Sequence, residues 1–95
     1  MRYVLITKPY GDPSRDEVVK AMGIAKRIVE NPESAVPNAK LLFAYAGKAK
    51  PEFYTVWEAS DPEGLAEEFL KFTPLGFHTE LLPVESLDEW LARFI

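Results

Sequence analysis

Two constellations in the sequence bring together side chains that could do chemistry. In "FHTEL", His78, the only histidine, precedes Glu80 by two residues. On a strand that spacing sets both side chains on one face, where the carboxylate can orient the imidazole as a general base. In "VWEASDPE", Trp57 stands beside Glu58, and Asp61-Pro62 follows. That is an aromatic surface ending in carboxylates. His78 and Glu80 are therefore the candidate catalytic residues, and Tyr45, Tyr54, Trp57 and Glu58 the candidate lining of a small-molecule site. Each has a plainer explanation beside it: a solvated edge-strand pair for His78 and Glu80, strand packing for Trp57, and helix capping for Asp61.

Other chemistries are poorly supplied. The chain has no cysteine, which removes thiol nucleophiles, disulfides and thiolate metal ligands. One histidine and scattered carboxylates make a weak metal set, so neither a metal nor another cofactor is expected. No G-x-G-x-x-G, phosphate-binding loop or G-x-S-x-G elbow occurs. A net charge of −4 opposes binding to phosphate backbones. "KPEFYTVW" at 50–57 lacks the small residues of the RNA-recognition signature and carries Glu52 inside it. Nucleic acid is thus not an expected partner. The apolar run in "MRYVLITK" is too short for a signal-peptide core, and nothing approaches the ~20 apolar residues of a membrane span, so a cytoplasmic location without a membrane partner is expected.

The elements that must position these residues follow from periodicity and punctuation. "RYVLITK" (2–8) reads as a strand bounded by Pro9 and Gly11. Asp12 is placed to cap a helix with Pro13 at its first position, and Val18, Met22, Ala25, Ile28 and Val29 form its apolar stripe up to Asn31-Pro32. After a proline-containing loop at 31–38, "AKLLFAYAG" (39–47) reads as a strand covered on both faces. "GKAKP" (47–51) is a hairpin connection whose glycine suits a positive φ, leading to the strand "EFYTVWEA" (52–59). Asp61-Pro62 starts a second helix with Leu65, Ala66, Phe69, Leu70 and Phe72 inward, and Pro74 and Gly76 end it. "FHTELLPV" (77–84) is a fourth strand. Ser86 then caps a short helix with Leu87, Trp90, Leu91 and Phe94 on its apolar face. The order βαββαβ plus a final helix predicts a single α+β domain over residues 1–95, a ferredoxin-like sandwich with a four-stranded antiparallel sheet.

Two helices cover only one face of such a sheet, yet each of the first three strands is rich in apolar residues in both parities. Placing Val4, Ile6, Ala44 and Ala46 under the helices leaves Tyr3, Leu5, Phe43 and Tyr45 looking outward. An apolar outer face calls for a partner, and pairing of two identical sheets is the simplest one. A homodimer is expected, with Tyr3, Leu5, Phe43 and Tyr45 at its interface.

From "VWEASDPEGLAEEFLKF" to "FHTELLPV" the chain resembles the small uncharacterised domain family DUF3303, related to the dimeric α/β-barrel proteins. The likeness lies in an acidic residue ending the third strand (Glu58), a D-P-E-x-L helix start (Asp61, Pro62, Glu63, Leu65) and Pro83-Val84 late in the fourth strand. It covers residues from about 39 to 84 well. It departs at Ala44-Tyr45, where members often carry a Trp-His pair. The resemblance implies a dimeric α/β barrel with no assigned reaction, in a wider group that includes binders of small apolar ligands and cofactor-free oxygenases. The expectation is a homodimer holding a small apolar or aromatic molecule in or beside an inter-sheet cavity. The alternatives are a monooxygenase- or isomerase-like enzyme with His78 as base, and a protein-interaction module.

Overall fold

The computed structural model describes residues 1–95. Strands β1 (Arg2–Pro9), β2 (Ala39–Ala46), β3 (Phe53–Ala59) and β4 (Phe77–Val84) form one sheet in the order β2-β3-β1-β4. All neighbours are antiparallel. Helix α1 (Arg15–Glu30) joins β1 to β2 through a single turn, α2 (Pro32–Ala35). Helix α3 (Glu63–Phe69), extended by a 3₁₀ segment over Leu70–Leu75, joins β3 to β4, and α4 (Leu87–Ala92) follows β4. This is the ferredoxin-like arrangement expected from the element order.

The helix starts differ in detail from the sequence reading. Helix α1 begins at Arg15, not at Pro13, because Ser14 and Glu17 form a reciprocal capping box: the Ser14 hydroxyl accepts from the Glu17 N–H at 3.2 Å, and the Glu17 carboxylate accepts from the Ser14 N–H at 2.8 Å. Two otherwise unpaired donors are satisfied at once, which Asp12 cannot match. Helix α3 begins at Glu63, one residue later than expected, with Pro62 and not Asp61 at the cap position; the Asp61 carboxylate still accepts from the Glu63 N–H at 3.0 Å. Ser86 caps α4 as expected, accepting from the Glu89 N–H at 3.1 Å. Positive φ is needed not at Gly47 but at Gly11 and Gly76. A Cβ at Gly76 would also press on Pro13 at 3.2 Å, so both the turn and the close approach demand glycine there.

The register decides which side chains meet the helices. Tyr3 pairs with Trp57, Leu5 with Thr55, and Thr7 with Phe53, and all of these lie on the helix-covered face. Tyr3 and Leu5 are 4 % and 0 % exposed, so the expectation that they look outward is corrected. Val4 and Ile6 are the outward pair of β1. The physical reason is size: Tyr3, Leu5 and Trp57 fill the space beneath α1 and α3 that Val4 and Ile6 would leave partly empty. In β2 the expected parity holds: Phe43 and Tyr45 face outward and are exposed.

A ring of aromatic residues builds the rest of the core. Phe69 meets Trp57 edge-on at 6.2 Å between centroids, and Phe72 contacts Phe53, Phe69 and Phe77 within 5.7 to 6.4 Å. The buried Trp57 indole N–H donates to Thr55 Oγ1 at 2.9 Å, and Thr7 and Thr79 share a hydrogen bond of 2.9 Å across β1 and β4. No buried side-chain polar atom lacks a partner. No helix is long and apolar enough to cross a membrane.

Candidate functional site

A mostly apolar cleft of about 430 Å³ lies between α1 and the edge strand β2, on the helix side of the sheet. Its origin lies in β2. Leu41 pairs with Trp57, but the next pairing is Phe43 with Val56, so the ladder slips by one residue at Leu42. A bulge of this kind reverses side-chain parity along the strand beyond it. Without it, Phe43 and Tyr45 would share the inward face with Leu41. With it, they turn outward and Ala44 and Ala46 turn beneath α1. Two methyl groups cannot fill the room two aromatic rings would occupy, so the edge of the sandwich stays open.

The opposing wall comes from α1, whose buried line is Ala21 and Ile28, with Val18, Ile24 and Ala25 partly buried. The expected stripe through Met22 and Val29 is therefore rotated by one position. Met22 and Val29 are 56 % and 53 % exposed and overhang the cleft instead of entering the core. Phe53, Phe69 and Phe72 form the floor, and Lys26 and Glu30 stand among the lining residues as its charged members. Such walls can hold an apolar or aromatic body by burial and leave a polar end to the lysine and glutamate. Each methylene buried contributes about 0.8 kcal/mol. No cluster of three or more His, Asp or Glu side chains is placed to hold a metal ion.

The structure separates the residues singled out in the sequence. Tyr45 lies at the rim of the cleft. Trp57 is fully buried in the core, not open to a cavity, which fits strand packing. Tyr54 and Glu58 lie on the outer face of β3, with Tyr54 opposite Tyr45 and Glu58 opposite Arg2. The Tyr54 hydroxyl donates to the Glu52 carboxylate at 2.5 Å, which raises its pKa above the ordinary 10.0. His78 and Glu80 share the outer face of β4, as their spacing required, and both are exposed. The imidazole stacks on Tyr10 with centroids 6.3 Å apart, and His78 pairs in register with Lys8. The cleft was missed because its signal, alanines at 44 and 46 after a bulge, is legible only once β3 is aligned beside β2.

On the outer face the register sets Phe43, Val56, Val4 and Leu82 in one row and Tyr45, Tyr54, Ile6 and Glu80 in the next. The row toward the other end holds Lys40, Glu58, Arg2 and Val84. An apolar centre is thus edged by charge, and Phe43, Tyr45, Leu82 and Val84 are exposed.

No family model matches the sequence, and no curated protein is similar to it; the resemblance to DUF3303 gains no support from either comparison. Solved structures are similar in shape. A structure described as an antibiotic biosynthesis monooxygenase superposes with a TM-score of 0.54 at 15% identity, covering 90% of this chain and 100% of the other. The Rv0793 protein of Mycobacterium tuberculosis also gives 0.54, at 12% identity, over 92% of this chain and 99% of its own. An uncharacterized NIPSNAP domain protein from Burkholderia xenovorans gives 0.47 at 10% identity, over 92% and 97%. At such identities the likeness is one of fold: this chain shares the α+β ferredoxin-like fold of the antibiotic biosynthesis monooxygenase structure.

Proposed function

We propose that the chain works as a homodimer, paired through the outer sheet faces, and that each copy binds a small apolar or aromatic molecule in the cleft between α1 and β2. The observation that carries this reading is the cleft itself. Its 430 Å³ falls within the ~300–1,000 Å³ usual for small-molecule sites, and ten of its thirteen lining residues are hydrophobic. The site therefore sits between helices and sheet, not between the two sheets. The apolar outer rows support pairing, since a face of that character is costly to leave in water.

Fluorescence titration with N-phenyl-1-naphthylamine, a neutral aromatic probe, tests the cleft. Ala44→Leu combined with Ala46→Leu fills the space from the sheet side and leaves the core untouched. The double variant is expected to bind the probe at least tenfold more weakly than the parent. Equal binding by the two proteins would sink the reading.

A second reading, an enzyme with His78 as general base oriented by Glu80, puts the reaction on the outer face beside Tyr10 and Lys8. It draws on the shared face of His78 and Glu80 and on the fold likeness to a monooxygenase. His78→Ala separates the two, because it leaves binding in the cleft unchanged.

A further inference from the structure

Exposed large apolar side chains gather at two places. One is the β2 edge, where Met22 and Val29 overhang the cleft and Phe43 and Tyr45 stand on the strand. The other follows β4, where Leu82 and Val84 lead to Leu87, Trp90 and Phe94 at 68 %, 46 % and 67 % exposure. The strand order sets β2 and β4 at opposite edges of the sheet, three strand spacings or roughly 14 Å apart. Within one chain the two patches do not meet.

Helix α4 is the element most in need of a partner. It has six residues, none of them fully buried on its own chain and only Leu91 half-buried. A helix that short does not sustain itself in water without tertiary packing. The molecule is 49 Å long against 27 and 20 Å in its other dimensions, with a radius of gyration of 14.2 Å. A compact domain of this length has about 12 Å.

Charge says what covers it. The first turn of α4 carries Asp88 and Glu89. The β2 edge carries Lys26 on the cleft wall and Lys48 and Lys50 in the adjoining hairpin, outnumbering Glu30 of the wall and Glu52 of the hairpin, whose carboxylate is bonded to Tyr54. Neither acid of α4 and none of the three lysines joins an ion pair within the chain, whose salt bridges use Arg27, Lys71, Arg93, Glu68 and Glu85. An acidic apolar helix at one edge and a basic apolar edge at the other are complementary between copies. A two-fold axis satisfies both contacts at once, since residue i then meets j and j meets i.

We propose that α4 of each copy packs across the β2 edge of a second copy and closes the mouth of its cleft. This rests on the reading of the cleft as a binding site in a two-chain protein. Trp90 and Leu87 then cover Met22 and Val29, Asp88 and Glu89 meet the three lysines, and the site gains a wall that one chain lacks. Ligand binding and pairing become linked, each strengthening the other.

The chain has no native cysteine, so single-cysteine variants report the contact directly. Ala46→Cys chains are mixed with Ala92→Cys chains at micromolar concentration and treated with a short bismaleimide. Each chain carries one thiol, so a product joining unlike chains is intermolecular by construction. The expected result is that product in large excess over a control pairing Ala92→Cys with Ala66→Cys, an exposed position on α3 that lies on the β1 and β4 side of the sheet. Absence of the 46–92 product, or equal yield from the control, overturns the proposal and leaves α4 to a different partner. Probe titration of the parent protein runs alongside. A cross-link without probe binding fails the cleft while the helix exchange stands; probe binding without a cross-link fails the exchange alone.

Discussion

Tyr54 and Glu52 show how a single contact sets the chemistry of a residue on the outer face. Tyr54 is half-buried there, and its hydroxyl is committed to the Glu52 carboxylate at 2.5 Å. Losing that proton would set a phenolate against a carboxylate, so the hydrogen bond raises the tyrosine pKa above 10.0. A group with its folded pKa raised contributes stability that is whole below the unfolded value and is lost as pH rises through the folded one. Glu52→Gln is therefore expected to bring the Tyr54 titration back toward 10.0, read as the phenolate absorbance lost in alkaline titration of Tyr54→Phe. An unchanged titration would show that the bond does not form in solution. Such contacts were out of sight in the sequence, where Tyr54 was one aromatic among several. Caps were more legible. Ser86 caps where its sequence context put it, while Asp61 stands one residue before the cap of α3 and Asp12-Pro13 lost the start of α1 to the reciprocal bond of Ser14 with Glu17.

At the scale of elements, the order of strands and helices was readable because each has a start signal and a period. What pairing adds was not. The bulge at Leu42 inserts one residue into β2 relative to β3, and no one-dimensional pattern records a residue that has no partner. The same lack of a partner made β2 read as a strand covered on both faces, when topology puts it at an edge with exposed Ala44 and Ala46. The anchoring of α1 to α3 is also a matter of pairing. Glu68 on α3 has a nearly buried side chain, 4% exposed, that accepts from Arg27 of α1 at 3.2 Å and pairs with Lys71 at 2.7 Å. Its partners are half-exposed and can be rehydrated, so the pair is worth less than a fully buried one. Glu68→Ala is expected to cost about 1–3 kcal/mol in urea unfolding, since it removes charge-assisted bonds between two helices. Because α1 forms one wall of the cleft, the same variant should also weaken probe binding. A loss below a few tenths of a kcal/mol would mean that aromatic packing alone holds the helices together.

For the whole molecule, the decisive fact is that the sheet has two apolar faces and helices for only one. Val56 sits on an inner strand of the four that carry its row, between Phe43 and Val4, and is half-buried. In a lone chain, a lysine there extends its charged end into water and costs little. Between two packed sheets the same ammonium is enclosed in an apolar layer about 10 Å thick, where an unpaired charge costs several kcal/mol. Val56→Lys thus reads the state of the face directly. The parent is expected to scatter light as a dimer at micromolar concentration and the variant as a monomer, with the two unfolding cooperatively. Pairing through the exchanged α4 adds a second contact at the edges, so the variant's dimer should return in part at higher concentration. Removing residues 85–95 from the variant should abolish that return. A parent that is monomeric across the whole concentration range would leave the outer rows solvated and remove the ground for pairing at either place.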